Sequence, residues 1–438
     1  MRSCAGRLCE STKYIKHHQP GLHIRTMLPT KLCNLIIDHL HDSKPSLSAC
    51  SLVCRSWVPE CRFHLFHKVV LYRGKADPFF QLFESPYATI ASAHTRELDV
   101  AQNRQGGNRG SELLDGLAFQ GVLSRCPADV FEHVQKLSVT WVGWWTLSDA
   151  ERLSIGQRFK NVTELALWMV VFQTDEEFQA LVASFPTLEI LSLRTIRFRV
   201  NDLEENHSHV EHTLPSNLHT ISLNDISNPR VIRSLIPCPS LRVFNCHYVN
   251  FGDFTLTLAK EFQRLFLSVG ERFEDFLFTI QAGGFINHGV DLDARFKLID
   301  LARMPNLRQI KFYIGDNQYL IPFLRRLAES GSSTPMLETL DIYYLSKHGL
   351  DWEKLDDILQ HPYFHMLRES KTCITTSFDL EDVVGQEPGW YSKPNDGSKA
   401  HIEMGYNVTK FMERLPKCQA RGILRPAEMY SFIDDSGW

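Results

Sequence analysis

Residues 134–139 read VQKLSV, 162–167 VTELAL, 188–193 LEILSL and 218–223 LHTISL. The same six-residue pattern, apolar-x-x-apolar-x-apolar, returns as LRVFNC at 241–246, FEDFLF at 273–278, LRQIKF at 307–312 and LETLDI at 337–342. Its central apolar residues are Leu137, Leu165, Leu191, Ile221, Phe244, Phe276, Ile310 and Leu340, separated by 28, 26, 30, 23, 32, 34 and 30 residues. The last two apolar positions of each copy lie two residues apart, the period of a strand with one covered face. An earlier copy is expected around Leu98 and Val100.

The stretches between copies carry helical patterns, at 176–184, 231–236, 292–302, 320–329 and 352–359. Pro186, Pro239, Pro305 and Pro335 stand just before the following strands. Proline stops a helix and pushes the residue before it into extended geometry, so each unit reads as helix, stop and strand. One short strand per 23–34 residues resembles the leucine-rich repeat, in which stacked units make a solenoid. The asparagine ladder of regular repeats is missing, so the expectation is an irregular leucine-rich-repeat-like α/β solenoid, an uneven horseshoe. Periodicity does not order the strands, and a doubly wound α/β sheet built from the same elements stays open as the alternative.

Upstream lies a different kind of segment, LPTKLCNLIIDHLHDSKPSLSACSLVCRSW, residues 28–57. Leu32, Leu35, Ile36 and Leu40 recur at i, i+3, i+4 and i+8, the stripe of an amphipathic helix begun by Pro29. Asp42 to Pro45 interrupt it, Ser46 is a candidate cap for a second helix, and Leu47, Cys50, Val53 and Cys54 supply that helix's apolar face. Trp57 closes the pair, with Val58-Pro59 expected to block continuation. So small a module has too little apolar surface to be comfortable alone.

Leu28-Pro29, Leu32, Ile36, Leu40, Leu47, Val53-Cys54-Arg55 and Trp57 together resemble the F-box, in the compact form of the fungal F-box families. The pattern departs at Lys31, where an acidic residue is usual, and in the longer turn at Asp42–Pro45. The resemblance implies docking on the adaptor subunit of an SCF-type cullin–RING ubiquitin ligase, and through it on a cullin. The adaptor-binding residues it implies are Leu28, Pro29, Leu32, Ile36, Leu40, Leu47, Val53 and Trp57. The repeats would then hold a target protein, making the chain a non-catalytic substrate receptor. The alternative is a ligase-independent interaction scaffold whose helical module only caps the solenoid.

The expected organisation is a leader at 1–26, the F-box-like module at 27–72, a linker at 73–94, the solenoid at 95–370 and a C-terminal loop and capping segment at 371–438. Met27 directly precedes Leu28, so a chain started there would begin at the module. Hydrophobic content of 43% and charged content of 22% over 438 residues are those of a folded protein. A net charge of −4 gives no field suited to nucleic acid, and no apolar run is long enough to span a membrane. Eleven unevenly spaced cysteines without a signal peptide read as reduced thiols of the cytoplasm or nucleus. The sequons at Asn161, Asn206 and Asn407 read as chance matches.

Candidate chemistry is sparse. His207, His209 and His212 lie beside Glu204, Glu205 and Glu211, in what reads as a solvated insertion. Cys50, Cys54, Cys61, His64 and His67 are close in sequence, but Cys50 and Cys54 are expected as buried thiols on the apolar face of the second helix. Trp141, Trp144 and Trp145 form an aromatic cluster readable as a recognition patch or as core. No phosphate loop, nucleophile elbow or zinc-protease helix is present. No catalytic residue, cofactor or metal is therefore expected.

Overall fold

The computed structural model describes residues 29–84, 95–101, 117–126, 128–199, 213–250, 254–269, 271–281, 292–314, 320–330, 336–344, 351–368, 370–374 and 414–426. The chain divides into two units, Met1–Leu65 and Phe66–Trp438.

The first unit holds α1 (Thr30–Asp38), α2 (Lys44–Ser51) and most of α3 (Val58–His67). Helix α1 starts on Pro29, whose carbonyl accepts from the Leu32 and Cys33 N–H groups. Ser43, not Ser46, caps α2: its hydroxyl accepts from the Ser46 N–H, and Pro45 sits in the first turn. Val58-Pro59 opens α3 instead of blocking a helix, because proline lacks only an N–H that the first turn leaves unpaired anyway. The core is Ile37, Leu47 and Cys61, with Leu40, Cys50, Trp57 and Leu65 packed around it.

The second unit is built on one 12-stranded parallel sheet. Its strands are β1 (Lys68–Tyr72), β2 (Glu97–Ala101), β3 (Lys136–Thr140), β4 (Glu164–Trp168), β6 (Ile190–Arg194), β8 (Thr220–Asn224), β9 (Val243–Asn250), β10 (Asp275–Gln281), β11 (Gln309–Ile314), β12 (Thr339–Tyr344), β13 (Ser370–Ile374) and β14 (Leu424–Pro426). They lie in chain order from one edge to the other. A doubly wound sheet reverses direction at a switch point, and this one never does. The fold is therefore an α/β solenoid.

The repeat residues meet across the sheet. Val69, Leu98, Leu137, Leu165, Leu191, Ile221, Phe244, Phe276, Ile310 and Leu340 form one continuous row of paired positions. A second row, two residues on, runs Leu71, Val100, Val139, Leu167, Leu193, Leu223, Cys246, Phe278, Phe312 and Ile342. Every member of both rows is buried, each side chain contributing about 1.5–3 kcal/mol of burial. Between β9 and β11 the rows turn aromatic: the Phe276 ring lies near-parallel to Phe244 at 6.3 Å and to Phe278 at 5.8 Å.

Helices alternate with the strands: α4 (Arg73–Glu84), α5 (Leu117–Arg125), α6 (Asp149–Arg158), α7 (Asp175–Ala183), α8 (Pro229–Arg233), α9 (Leu256–Ser268), α10 (Leu292–Phe296), α11 (Leu320–Ser330), α12 (Trp352–Ile358) and α13 (Pro416–Ala420). Successive helices pack on one another, as α4 on α5, α8 on α9 and α11 on α12. At the C-terminal end the buried Asp356 carboxylate accepts from the Lys417 and Cys418 N–H groups and so holds the start of α13.

A regular device ends four consecutive strands. Trp141, Met169, Thr195 and Asp225 each stand one residue past β3, β4, β6 and β8, with φ of 62°, 52°, 51° and 54°. Each N–H donates to a carbonyl one repeat on, Trp141 to Trp168, Met169 to Arg194, Thr195 to Asn224 and Asp225 to His247, at 2.8–3.1 Å. The left-handed turn costs a non-glycine residue about 1–2 kcal/mol, and these bonds hold it. The residue after each turn, Val142, Val170, Ile196 or Ile226, is buried. Past the turn, β5 (Val171–Phe172) and β7 (Arg197–Phe198) pair in a second small sheet.

The first strand, β1, comes earlier than the residue-95 start read from the repeats, and the stretch read as a linker opens with α4. In β1, Phe66, Val69 and Leu71 fill all three apolar positions of the pattern, but no proline stands just before them. The readings on residues 1–28, His207/His209/His212 and most of 371–438 lie outside the described residues.

Candidate functional site

The first unit exposes apolar side chains that it has no core to cover. Leu32, Leu35 and Ile36 on α1 are 47%, 56% and 44% exposed, and Leu52 and Val53, just past α2, are 86% and 64% exposed. Spacing of i, i+3, i+4 puts Leu32, Leu35 and Ile36 on one helix face. The neighbouring stripe, Cys33 and Ile37, is the buried one. The stripe read from the sequence, Leu32, Leu35 and Ile36, is thus the one left exposed.

The eight expected docking residues therefore separate. Pro29, Leu32, Ile36 and Val53 are exposed. Leu40 and Trp57 are half-buried against the core, and Leu47 lies wholly inside it, with no surface for a partner. Leu28 lies outside the described residues. Leu35 and Leu52 were not among the eight; Leu35 was in the stripe, whereas nothing in the pattern marked Leu52. Lys31 and Arg55 flank the exposed leucines and valine and are themselves exposed.

Cys54 is not the buried thiol expected. Helix α2 ends at Ser51, which leaves Cys54 in an exposed turn, where the Ser56 hydroxyl hydrogen-bonds its sulfur and holds its pKa below the usual thiol value. Cys61 is buried, which raises its pKa, and Cys50 is half-buried.

The second unit offers the other face of its sheet, half-buried over β3 to β9. Alternate strand residues point away from the buried rows, among them Ser138, Ala166, Ser192, Ser222 and Asn245 in one row of paired positions. Asn245 donates its amide to the Ser222 hydroxyl at 3.2 Å. One row on, Thr140, Trp168, Arg194, Asn224 and His247 follow. Burial and then the Lys311 charge hold His247 below the usual histidine pKa, whereas burial and then Glu274 raise Asp275. At the start of the strands, Lys68 pairs with Glu97, Lys136 with Glu164 and Arg242 with Glu274 at 2.9–3.6 Å.

The three tryptophans part company. Trp144 is core, against Phe172 and Phe119 at 5.2 and 6.2 Å. Trp145 stacks under the Arg199 guanidinium at 4.4 Å. Trp141 alone of the three is exposed.

No family model and no curated protein matches the chain. Solved structures that match include the Rad7 and Elc1 complex in yeast, at 13% identity and a TM-score of 0.34, covering 85% of this chain and 94% of that one. An internalin from Listeria monocytogenes matches at 12% identity and a TM-score of 0.22, over 69% of this chain and 82% of its own. The TLR13–ssRNA13 complex matches at 14% and 0.23, over 64% of this chain and 40% of that one. Superpositions this loose do not bear on function, and the solenoid rests on the strand order. Among the described residues no helix is long and apolar enough to cross a membrane.

Proposed function

We propose that the chain is a two-handed, non-catalytic receptor. Its helical unit docks on the adaptor of an SCF-type ubiquitin ligase, and the polar face of the solenoid's sheet holds a target protein. The observation that carries this reading is the placement of exposed apolar side chains. Of the ten large hydrophobic residues exposed among those described, five fall between Leu32 and Val53. Scattered single leucines on a surface need no explanation, but a concentration in one small helical unit marks a contact. Covering each half-exposed leucine yields about 1 kcal/mol, and helix-in-groove recognition uses side chains at this i, i+3, i+4 spacing.

In such an assembly the receptor performs no bond chemistry; it raises the local concentration of the target beside the ligase. Cytoplasm or nucleus is the proposed location. The test is affinity purification of the tagged full-length chain with the proteasome inhibited, followed by mass spectrometry. The adaptor and cullin should be recovered with the wild type and lost with Leu28→Ala/Pro29→Ala. Failure to recover either from the wild type removes the ligase reading.

A further inference from the structure

Asp38, Glu60 and His64 bring three ligand-type atoms within 4.8 Å of one another. Asp38 is the last residue of α1, while Glu60 and His64 lie four apart on α3, so one helical turn aims both at the end of the neighbouring helix. The His64 Nε2 is 2.9 Å from Asp38 Oδ1 and 3.8 Å from Glu60 Oε1. Ligand atoms about 2.0–2.1 Å from a tetrahedral zinc are about 3.4 Å apart, and the two distances bracket that value. With the Asp38 and Glu60 oxygens also within 4.8 Å of each other, rearrangement of the side-chain ends would bring all three to ligand distance.

Two further features favour a cation here. The C-terminal end of a helix carries partial negative charge, which disfavours a carboxylate there; Asp38 stands at that end, with Asp42 four residues on. His41 approaches from the same turn: its Nδ1 is 2.7 Å from the Asp38 carbonyl oxygen, and its ring centroid lies 6.3 Å from that of His64. Released from Asp42, which its Nε2 meets at 3.1 Å, His41 would be a candidate fourth ligand and second nitrogen. The imidazole is nearly buried, whereas Asp38 is half exposed, so the group has both a fixed side and an entry side.

We propose that Asp38, Glu60 and His64 form a divalent-cation site of the zinc class that clips the end of α1 to α3. Nitrogen and carboxylate donors at this separation suit zinc better than calcium, which takes six to eight oxygens. The ion would take the His64 Nε2 lone pair, with the ring proton on Nδ1, and replace the direct His64–Asp38 hydrogen bond. Its effect would be to fix the helix that presents Leu32, Leu35 and Ile36, whatever partner they meet.

The full-length chain, stripped of metal by a chelator, is titrated with zinc and separately with cobalt(II), the latter read by its visible absorption. Saturable binding of one equivalent is expected, weakened at least tenfold by Glu60→Gln, Asp38→Asn and His64→Ala. Glu60→Gln and Asp38→Asn keep shape and hydrogen-bonding capacity, and circular dichroism confirms folding. The His207→Ala/His209→Ala/His212→Ala variant should bind as the wild type. No saturable binding, undiminished binding by Glu60→Gln, or loss of binding in the triple-histidine variant overturns the proposal; the first would leave a plain His64–Asp38 hydrogen bond.

Discussion

Replacing Phe276 by alanine should open the solenoid locally and leave its far end intact. The ring is buried and meets four others: Phe244 at 6.3 Å and Phe278 at 5.8 Å near-parallel, Phe266 at 5.7 Å and Phe312 at 6.1 Å edge-on. Its backbone pairs with Phe244 on one side and Ile310 on the other. Truncating a core phenylalanine costs about 3–5 kcal/mol, and four aromatic partners place this one near 4. In a stack where each unit touches only its neighbours, that loss falls on β9–β11. Hydrogen exchange read by mass spectrometry on the full-length chain should show amides of 243–250, 275–281 and 309–314 exchanging up to about 1,000-fold faster. Peptides covering 97–101, 136–140 and 164–168 should exchange as in the wild type. A uniform loss of protection across all strands would refute the nearest-neighbour account and describe one cooperative α/β domain.

Three further outcomes are expected. Leu47→Ala should destabilise the helical unit by about 2–5 kcal/mol, whereas Leu35→Ala should stay within about 0.5 kcal/mol, both measured by exchange of α1–α3 amides; equal effects would mean that the exposed and buried faces are misassigned. Among the described cysteines, native alkylation followed by peptide mapping should label Cys54 first, since it is exposed with a lowered pKa. Burial pushes Cys126, Cys238 and Cys418 up to about 12, and these should label only on unfolding. The third concerns Glu151. Burial raises its pKa, but hydrogen bonds from the Ser148 N–H and hydroxyl and the Gln120 amide outweigh it, so the net shift is downward. A lowered native pKa gives stability that is complete above the ordinary glutamate value of 4.5 and lost as pH falls below it. The stability of the α6 region should therefore fall less steeply as pH drops in Glu151→Gln, and an unchanged slope would discount the cap.

The strand rows were legible because covered strands repeat a two-residue period, and the eight central residues of the pattern all fall in one buried row. The strand order was not, since periodicity is blind to which strand lies beside which. The left-handed turns left no trace either: tryptophan, methionine, threonine and aspartate share no composition signal for positive φ. Helix α6 did advertise itself through Ser148 and Glu151, a reciprocal cap three residues apart, though its apolar stripe is too thin to register. In the helical unit the difficulty was an excess of signal. Leu32, Cys33, Leu35, Ile36 and Ile37 make two overlapping apolar stripes, and only the packing of Leu47 and Cys61 decides which is covered.

The exposed stripe of α1 is the surface that an adaptor would cover. Purified ligase adaptor titrated calorimetrically into the full-length protein should saturate at one adaptor per chain. Leu35→Asp/Ile36→Asp should lower the affinity at least about hundredfold, some 2.7 kcal/mol, without loss of helical signal. Leu153→Asp, at an exposed leucine of α6, should bind as the wild type. No saturation by the wild type, or equal binding by the Leu35→Asp/Ile36→Asp variant, would contradict the claim that this face exists to hold the adaptor.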